Sequence, residues 1–268
     1  MNKKPLLLGT AFAMAMAVSV NASADRVIDL FSVTQAKFFD VTTNGVAESR
    51  TVNDPNPYPS PLNSIIGDNR DISVNLINSP DPANVNASAS VTAGVYNFSQ
   101  DTQAGAEAQI QWDGSNVGVE GADGGILNPT GLGGINLWDT GSLFSFDVIF
   151  ADQGFTADVI VYTDATHFSR IRIDTVVPVS NQTFSLAFAA FENAAFVAAN
   201  GGAGSAGLAD LNNVGALQVI LNPLGTGLSI DLTIDNITTV PEPATLSLLG
   251  MGLLGMGASA RRRKLANA

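Results

Sequence analysis

The chain of 268 residues has no cysteine and a single histidine, His167. Without thiols there is no disulfide, no cysteine nucleophile and no thiolate metal site. A Ser-His-Asp triad would have to be built on that one imidazole. Its neighbours Ala165-Thr166-His167-Phe168-Ser169 read as a polar turn between strands at 159–163 and 171–173, which predicts a solvated histidine. No Gly-x-Ser-x-Gly elbow is present, because Ser205 has Ala203 where the first glycine should stand. The glycine clusters are not followed by lysine and lack a strand-helix setting, so phosphate-loop and dinucleotide folds are excluded. Glutamates are scarce too. The body carries Glu48, Glu107, Glu120 and Glu192, none at the two-to-five-residue spacing of a glycosidase pair on one strand. No catalytic residue is expected.

Basic residues are also few. Between Asp25 and Val240 there are six Lys or Arg against twenty-three Asp or Glu, a formal net charge of −17. That field repels nucleic acid and anionic membrane surfaces, and it favours solubility and loose binding of divalent cations. The 216 residues of this span suffice for one core without cross-links.

What is present begins at the N-terminus. Lys3 and Lys4 precede a nearly unbroken apolar run from Pro5 to Val20, and Ala22-Ser23-Ala24 offers small residues at the two cleavage-site positions, Ala22 and Ala24. Residues 1–24 therefore read as a secretory signal peptide, with a mature chain starting at Asp25.

The body, 25–238, has period two rather than 3.6. Leu228, Ile230, Leu232 and Ile234 alternate with Ser229, Asp231, Thr233 and Asp235. Ala106, Ala108, Ile110 and Trp112 alternate with Glu107, Gln109, Gln111 and Asp113, and similar patterns surround Ile171–Ile173 and Phe184–Phe188. Denser apolar runs at 143–150 and 159–162 predict central strands. One helix is expected, Glu192 to Ala199, ended by Gly201 and Gly202. Prolines at 55, 57, 59 and 61 and six glycines between 121 and 134 mark two long loops. Many short strands with few helices predict an all-β, two-sheet sandwich of the jelly-roll kind.

The last thirty residues combine three parts: Pro241-Glu242-Pro243, an uncharged run from Ala244 to Ala260, and Arg261-Arg262-Arg263-Lys264. The prolines hold the tripeptide extended. As a helix, 244–260 would reach roughly 25 Å, near the thickness of a hydrocarbon core, and the basic cluster would stay on the cytoplasmic side. This arrangement resembles the PEP-CTERM sorting signals of Gram-negative bacteria. The resemblance implies that residues 239–268 are a sorting signal read by an exosortase, a membrane-embedded cysteine transpeptidase. Pro241, Glu242 and Pro243 would then be recognition residues, 244–260 a transient anchor in the inner membrane, and Arg261, Arg262 and Arg263 the stop. A plain C-terminal tail anchor is the alternative. The implied destination is the cell envelope, outer surface or extracellular matrix.

Val27-Ile28-Asp29-Leu30-Phe31 and Leu232 to Ile237 resemble the opening and closing strands of galactose-binding-like jelly rolls, the fold of many carbohydrate-binding modules. In that fold the terminal strands are neighbours, which would bring Asp29 near Asp235. These two and Asp68 and Asp71 are candidate ligands for a structural Ca²⁺, the one cofactor considered. Trp112 and Trp138 are candidate sugar-stacking faces, weighed against burial in the core. The first reading is an exported, non-enzymatic envelope protein associated with extracellular polysaccharide. A lectin-like carbohydrate-binding module, and after it a polysaccharide hydrolase, are the alternatives.

Overall fold

A computed structural model describes residues 26–57, 62–81, 84–114 and 127–241. The signal peptide, Glu120, Glu242, Pro243, the apolar run and the arginine cluster lie outside the described residues. Two antiparallel sheets face each other, and the chain crosses between them repeatedly.

Sheet A has the order β11 (Val179–Ala187), β8 (Leu143–Ala151), β14 (Asp231–Val240), β6 (Val95–Gln100), β5 (Ala87–Thr92) and β2 (Gln35–Asp40), with β1 (Val27–Asp29) also pairing β14. Sheet B runs β12 (Gly201–Ala203), β10 (Phe168–Asp174), β9 (Thr156–Tyr162), β13 (Ala216–Leu221), β7 (Gly105–Trp112), β4 (Asn69–Asn78) and β3 (Glu48–Asn53). The alternation read from the sequence explains the layering, since period-two apolar residues place one face of every strand inward. Ile72, Val74, Leu76, Ala106, Ala108, Ile110, Val159, Val161, Val219 and Leu221 from sheet B meet Val91, Phe98, Phe144, Phe146, Val148, Leu232, Ile234 and Ile237 from sheet A in one core. At one end Phe144 packs against Phe188 and Phe191, with ring centroids 4.8 and 5.5 Å apart.

The terminal strands pair, as the jelly-roll resemblance implies: Val27 lies opposite Thr238 and Asp29 opposite Ile237. Three local expectations change. The first strand stops at Asp29 rather than Phe31, because the Asp29 carboxylate accepts the Phe31 amide at 2.7 Å and Phe31 takes φ 50°. The last strand starts at Asp231 rather than Leu228, because Ser229 has φ 59° and Leu228 is exposed. The helix expected from Glu192 to Ala199 is α2 (Ala194–Asn200), and a separate single turn, α1 (Phe188–Phe191), precedes it. Asn193 separates them and caps α2 by accepting the Ala195 and Phe196 amides. Asp71, one of the candidate cation ligands, is a residue of β4.

Among the described residues no helix is long and apolar enough to cross a membrane.

Candidate functional site

Among the described residues the outer face of sheet B carries a connected network of polar side chains. Inward placement of Ile72, Val74 and Leu76 on β4 sends Asp71, Ser73 and Asn75 outward, and the same alternation sends out Glu107, Gln109 and Gln111 on β7. The registers align these with Gln218 on β13, Asp158, Ile160 and Tyr162 on β9, and Phe168, Arg170 and Arg172 on β10.

Within this face the side chains form one directed relay. Tyr162 Oη donates to Gln218 Oε1 at 2.9 Å, Gln218 Nε2 to Gln109 Oε1 at 3.0 Å, and Gln109 Nε2 to Glu107 Oε1 at 2.8 Å. Gln111 Nε2 joins by donating to Gln109 Oε1 at 3.1 Å. Every donor points toward the Glu107 carboxylate, so each bond polarises the next. Glu107 Oε2 in turn accepts the Leu224 amide at 3.0 Å. The relay has one loose end, Gln111 Oε1, which has no hydrogen-bond partner although the residue is only 4 % exposed. A buried carbonyl oxygen left so is costly unless something donates to it. Asn75 Oδ1, on the same face but outside the relay, is buried without a partner as well.

The two margins differ in charge. On β9 and β10, Asp158 is buried at 1 % exposure and held by Arg172, Nε to Oδ1 at 2.7 Å and Nη2 to Oδ2 at 2.9 Å. Arg170 stands 3.9 Å away and donates to the Gly201 carbonyl. Beside them Tyr162 and Phe168 present rings 5.4 Å apart, both half-buried. On β3 and β4, Thr51 donates to Asp71. Burial pushes the Asp71 carboxyl up to about 6; the Thr51 bond pulls it down and neighbouring Asp113 adds to the rise.

The other sequence-derived candidates are dispersed. Asp29 is buried between the sheets, accepting from Arg70 Nη1 at 3.0 and 3.1 Å, Trp112 Nε1 at 2.8 Å and the Phe31 amide. Burial raises this carboxyl, while Arg70 and its other donors pull the opposite way. Arg70 also donates to Gln35 Oε1 and the Val33 carbonyl. Asp235 lies on the outer face of sheet A beside Asn236 and Asp147. The expectation that Asp29 and Asp235 approach each other is therefore corrected: their strands pair, but one side chain points into the core and the other away from it. Asp68 lines a cavity of about 850 Å³ with Asn63, Asn136, Asp139, Arg26 and Thr140. Among the described residues no three Asp, Glu or His groups gather as a metal site.

Trp112 is core, its ring buried and its Nε1 on Asp29. Trp138 is half-buried, packed edge-on against Phe188 at 5.3 Å and donating to Glu192 Oε1 at 3.3 Å. The Trp112 indole therefore offers no open stacking face. His167 is half-exposed and bound within its own turn to Asp164, Nδ1 to Oδ2 at 2.9 Å. The Thr166 and His167 groups donating to Asp164 hold its carboxyl far below the usual range.

Sequence reading missed the relay itself. The signal available was Glu107, Gln109 and Gln111 on one side of a strand; the partners Tyr162 and Gln218 come from strands far along the chain.

The sorting junction forms a second site. β14 lies in the middle of sheet A and runs through Thr239 and Val240. Thr239 is buried, its amide donates to the Arg26 carbonyl at 2.8 Å and its Oγ1 accepts the Arg26 amide at 3.0 Å. The Val240 carbonyl accepts the Ser142 amide at 2.9 Å.

Residues 239–264 match the PEP-CTERM protein-sorting motif. None of the curated proteins matches the chain in sequence. A family 11 carbohydrate-binding module from Clostridium thermocellum, in complex with a β-1,3-1,4-mixed-linked tetrasaccharide, is similar with a TM-score of 0.36 and 10% identity, over 82% of this chain and 97% of that one. A point mutant of a family 29 carbohydrate-binding module gives 0.32 and 10% over 72% and 90%. An exo-β-agarase gives 0.35 and 12% over 81% of this chain and 25% of that enzyme. At these values the likeness says nothing about a ligand of this chain.

Proposed function

We propose that this protein is exported, passes through the inner membrane as an exosortase substrate, and binds a neutral polysaccharide on the outer face of sheet B without cleaving it. The sorting half is supported by the order of the motif, apolar run and arginines. The binding half is carried by one observation, the half-buried Tyr162 and Phe168 rings 5.4 Å apart beside the fixed amides of the relay. Fixed amides supply paired donors and acceptors, Arg170 and Arg172 supply further donors, and the Tyr162 and Phe168 rings supply apolar surface for a sugar face. Asp71, Glu107 and Asp158, in a body of net charge −17, disfavour a polyanionic chain.

Affinity electrophoresis or a glycan array on the Asp25–Val240 fragment tests this. Retention by a neutral glycan is expected, with Phe168→Ala and Tyr162→Ala each weakening it about ten-fold, which is about 1.4 kcal/mol, in variants that a thermal scan shows to be folded. If no glycan is retained, the face is structural and the protein is an envelope component without a sugar ligand.

A further inference from the structure

Among the described residues each sheet ends in two outer strands, β3 and β12 in sheet B, β2 and β11 in sheet A. An outer strand presents a row of unpaired backbone donors and acceptors, and proteins guard such rows with charge, brevity or proline. Three of these strands are guarded: β3 carries Glu48 and Arg50, β2 carries Lys37 and Asp40, and β12 is only three residues long. β11 is not. It runs for nine residues, and no charged residue occurs from Thr175 to Phe191. The other uncharged strands of comparable length, β5, β6 and β13, all lie inside their sheets. The faces of β11 are those of an interior strand as well. Phe184 and Leu186 lie opposite Phe146 and Phe144 of β8 and pack on the core, yet both stay half-buried. Thr183 and Ser185 alternate with them on the exposed side. Asn181, at φ 48°, bends the strand near its start, so the regular stretch is 182–187.

We infer that this edge pairs with a second copy of the chain, β11 antiparallel to β11 about a twofold axis through the middle of 182–187, so that sheet A continues from one molecule into the other. A strand added here must be apolar toward the core, hydroxyl-bearing outside and uncharged, and β11 itself meets all three conditions. A twofold axis perpendicular to the sheet keeps inner faces inner. Phe184 and Leu186 of each copy then extend the core of the other, while Thr183 and Ser185 stay outside. In an antiparallel pair alternate residues turn their N–H and C=O groups to the free side, and these supply the bonds between copies. Elsewhere two bodies of net charge −17 repel each other, and an uncharged strip is where they can meet. The outer face of sheet B, in the other layer, stays open.

The test takes the protein as exported by a producing host and follows its mass by sedimentation equilibrium over a range of concentrations. A dimer is expected, tighter at high salt because salt screens the repulsion between two acidic bodies. Ser185→Lys should weaken association about ten-fold or more, since it sets like charges against each other across the axis. The substitution makes the body less negative, so general repulsion falls and only a local contact accounts for the loss. A one-to-one mixture of Ser185→Lys and Ser185→Glu should associate again, which misfolded variants would not do. Because the chain has no cysteine, single cysteines placed in turn at 182–187 locate the axis: disulfide dimers should form most readily at one position and fall off on both sides. A monomer at every concentration and salt overturns the inference. So does a dimer that Ser185→Lys leaves unchanged, a mixture that stays monomeric, or cross-linking spread evenly along the strand.

Discussion

Replacing Asp71 by asparagine should stabilise the protein at neutral and alkaline pH and leave it little changed in acid. Asp71 sits on β4 with its outer edge toward the relay and its carboxyl shifted from 3.8 to about 6, chiefly by burial. A carboxyl raised on folding binds its proton more tightly in the native state than in the unfolded chain. Stability therefore falls as pH rises from about 4 to about 6, because ionisation is easier once the chain unfolds. Moving a carboxyl over that interval is worth about 3 kcal/mol at full effect. Solvent at the outer edge of the face screens part of it, so about 2 kcal/mol is expected. Urea unfolding of parent and Asp71→Asn at several values between about pH 3.5 and 8 measures this directly. Steric and hydrogen-bond consequences of asparagine beside Thr51 are common to all pH values, so the change in the difference isolates ionisation. A difference between the two proteins that is flat across the range, or that favours the parent as pH rises, would refute the reasoning.

Other predictions follow from the same geometry. Arg70→Met strands the Asp29 carboxylate between the sheets and should cost about 3–5 kcal/mol in denaturant unfolding; the double variant with Asp29→Asn should lose less than the sum of the singles, and strict additivity would mean the pair is uncoupled. Gly131→Ala should cost about 2–3 kcal/mol, because a methyl there meets the Asp113 backbone carbonyl, which cannot yield as a side chain would; a thermal scan decides it. N-terminal sequencing of the exported form should begin at Asp25, and finding residues before Ala24 would count against the predicted cleavage. Serine at Arg261, Arg262 and Arg263 should release unprocessed protein outside the inner membrane, since each charge resists transfer by roughly 2.5–3.5 kcal/mol. Glu242→Ala should instead leave it anchored and uncut, and normal maturation of that variant would favour the plain tail anchor.

The sequence by itself determined the all-β class and the inward faces, because period-two alternation is a local property that any pairing partner must respect. It also determined the sorting signal, whose meaning lies in the order of three contiguous parts and needs no fold. Seven strands, β2, β3, β4, β5, β6, β12 and β13, were not legible. Ser88, Ser90, Asn97 and Gln218 make their segments look polar, and only the neighbouring strands show which side is covered. Tertiary structure alone decided the function of single side chains. Asp29 resembles a cation ligand until Arg70, forty-one positions away, is found against it. Gln111 resembles an ordinary strand residue until Gln109, Gln218 and Tyr162 leave its carbonyl oxygen as the one in the relay without a donor. The end of β14 likewise came from pairing: Thr239 and Val240 read as the start of the sorting signal, yet their hydrogen bonds to Arg26 and Ser142 make them the last residues of the folded body. Alternation along a chain is set by the backbone, whereas which side chains meet is set by which strands meet, and that pairing joins residues as far apart as Arg26 and Thr239.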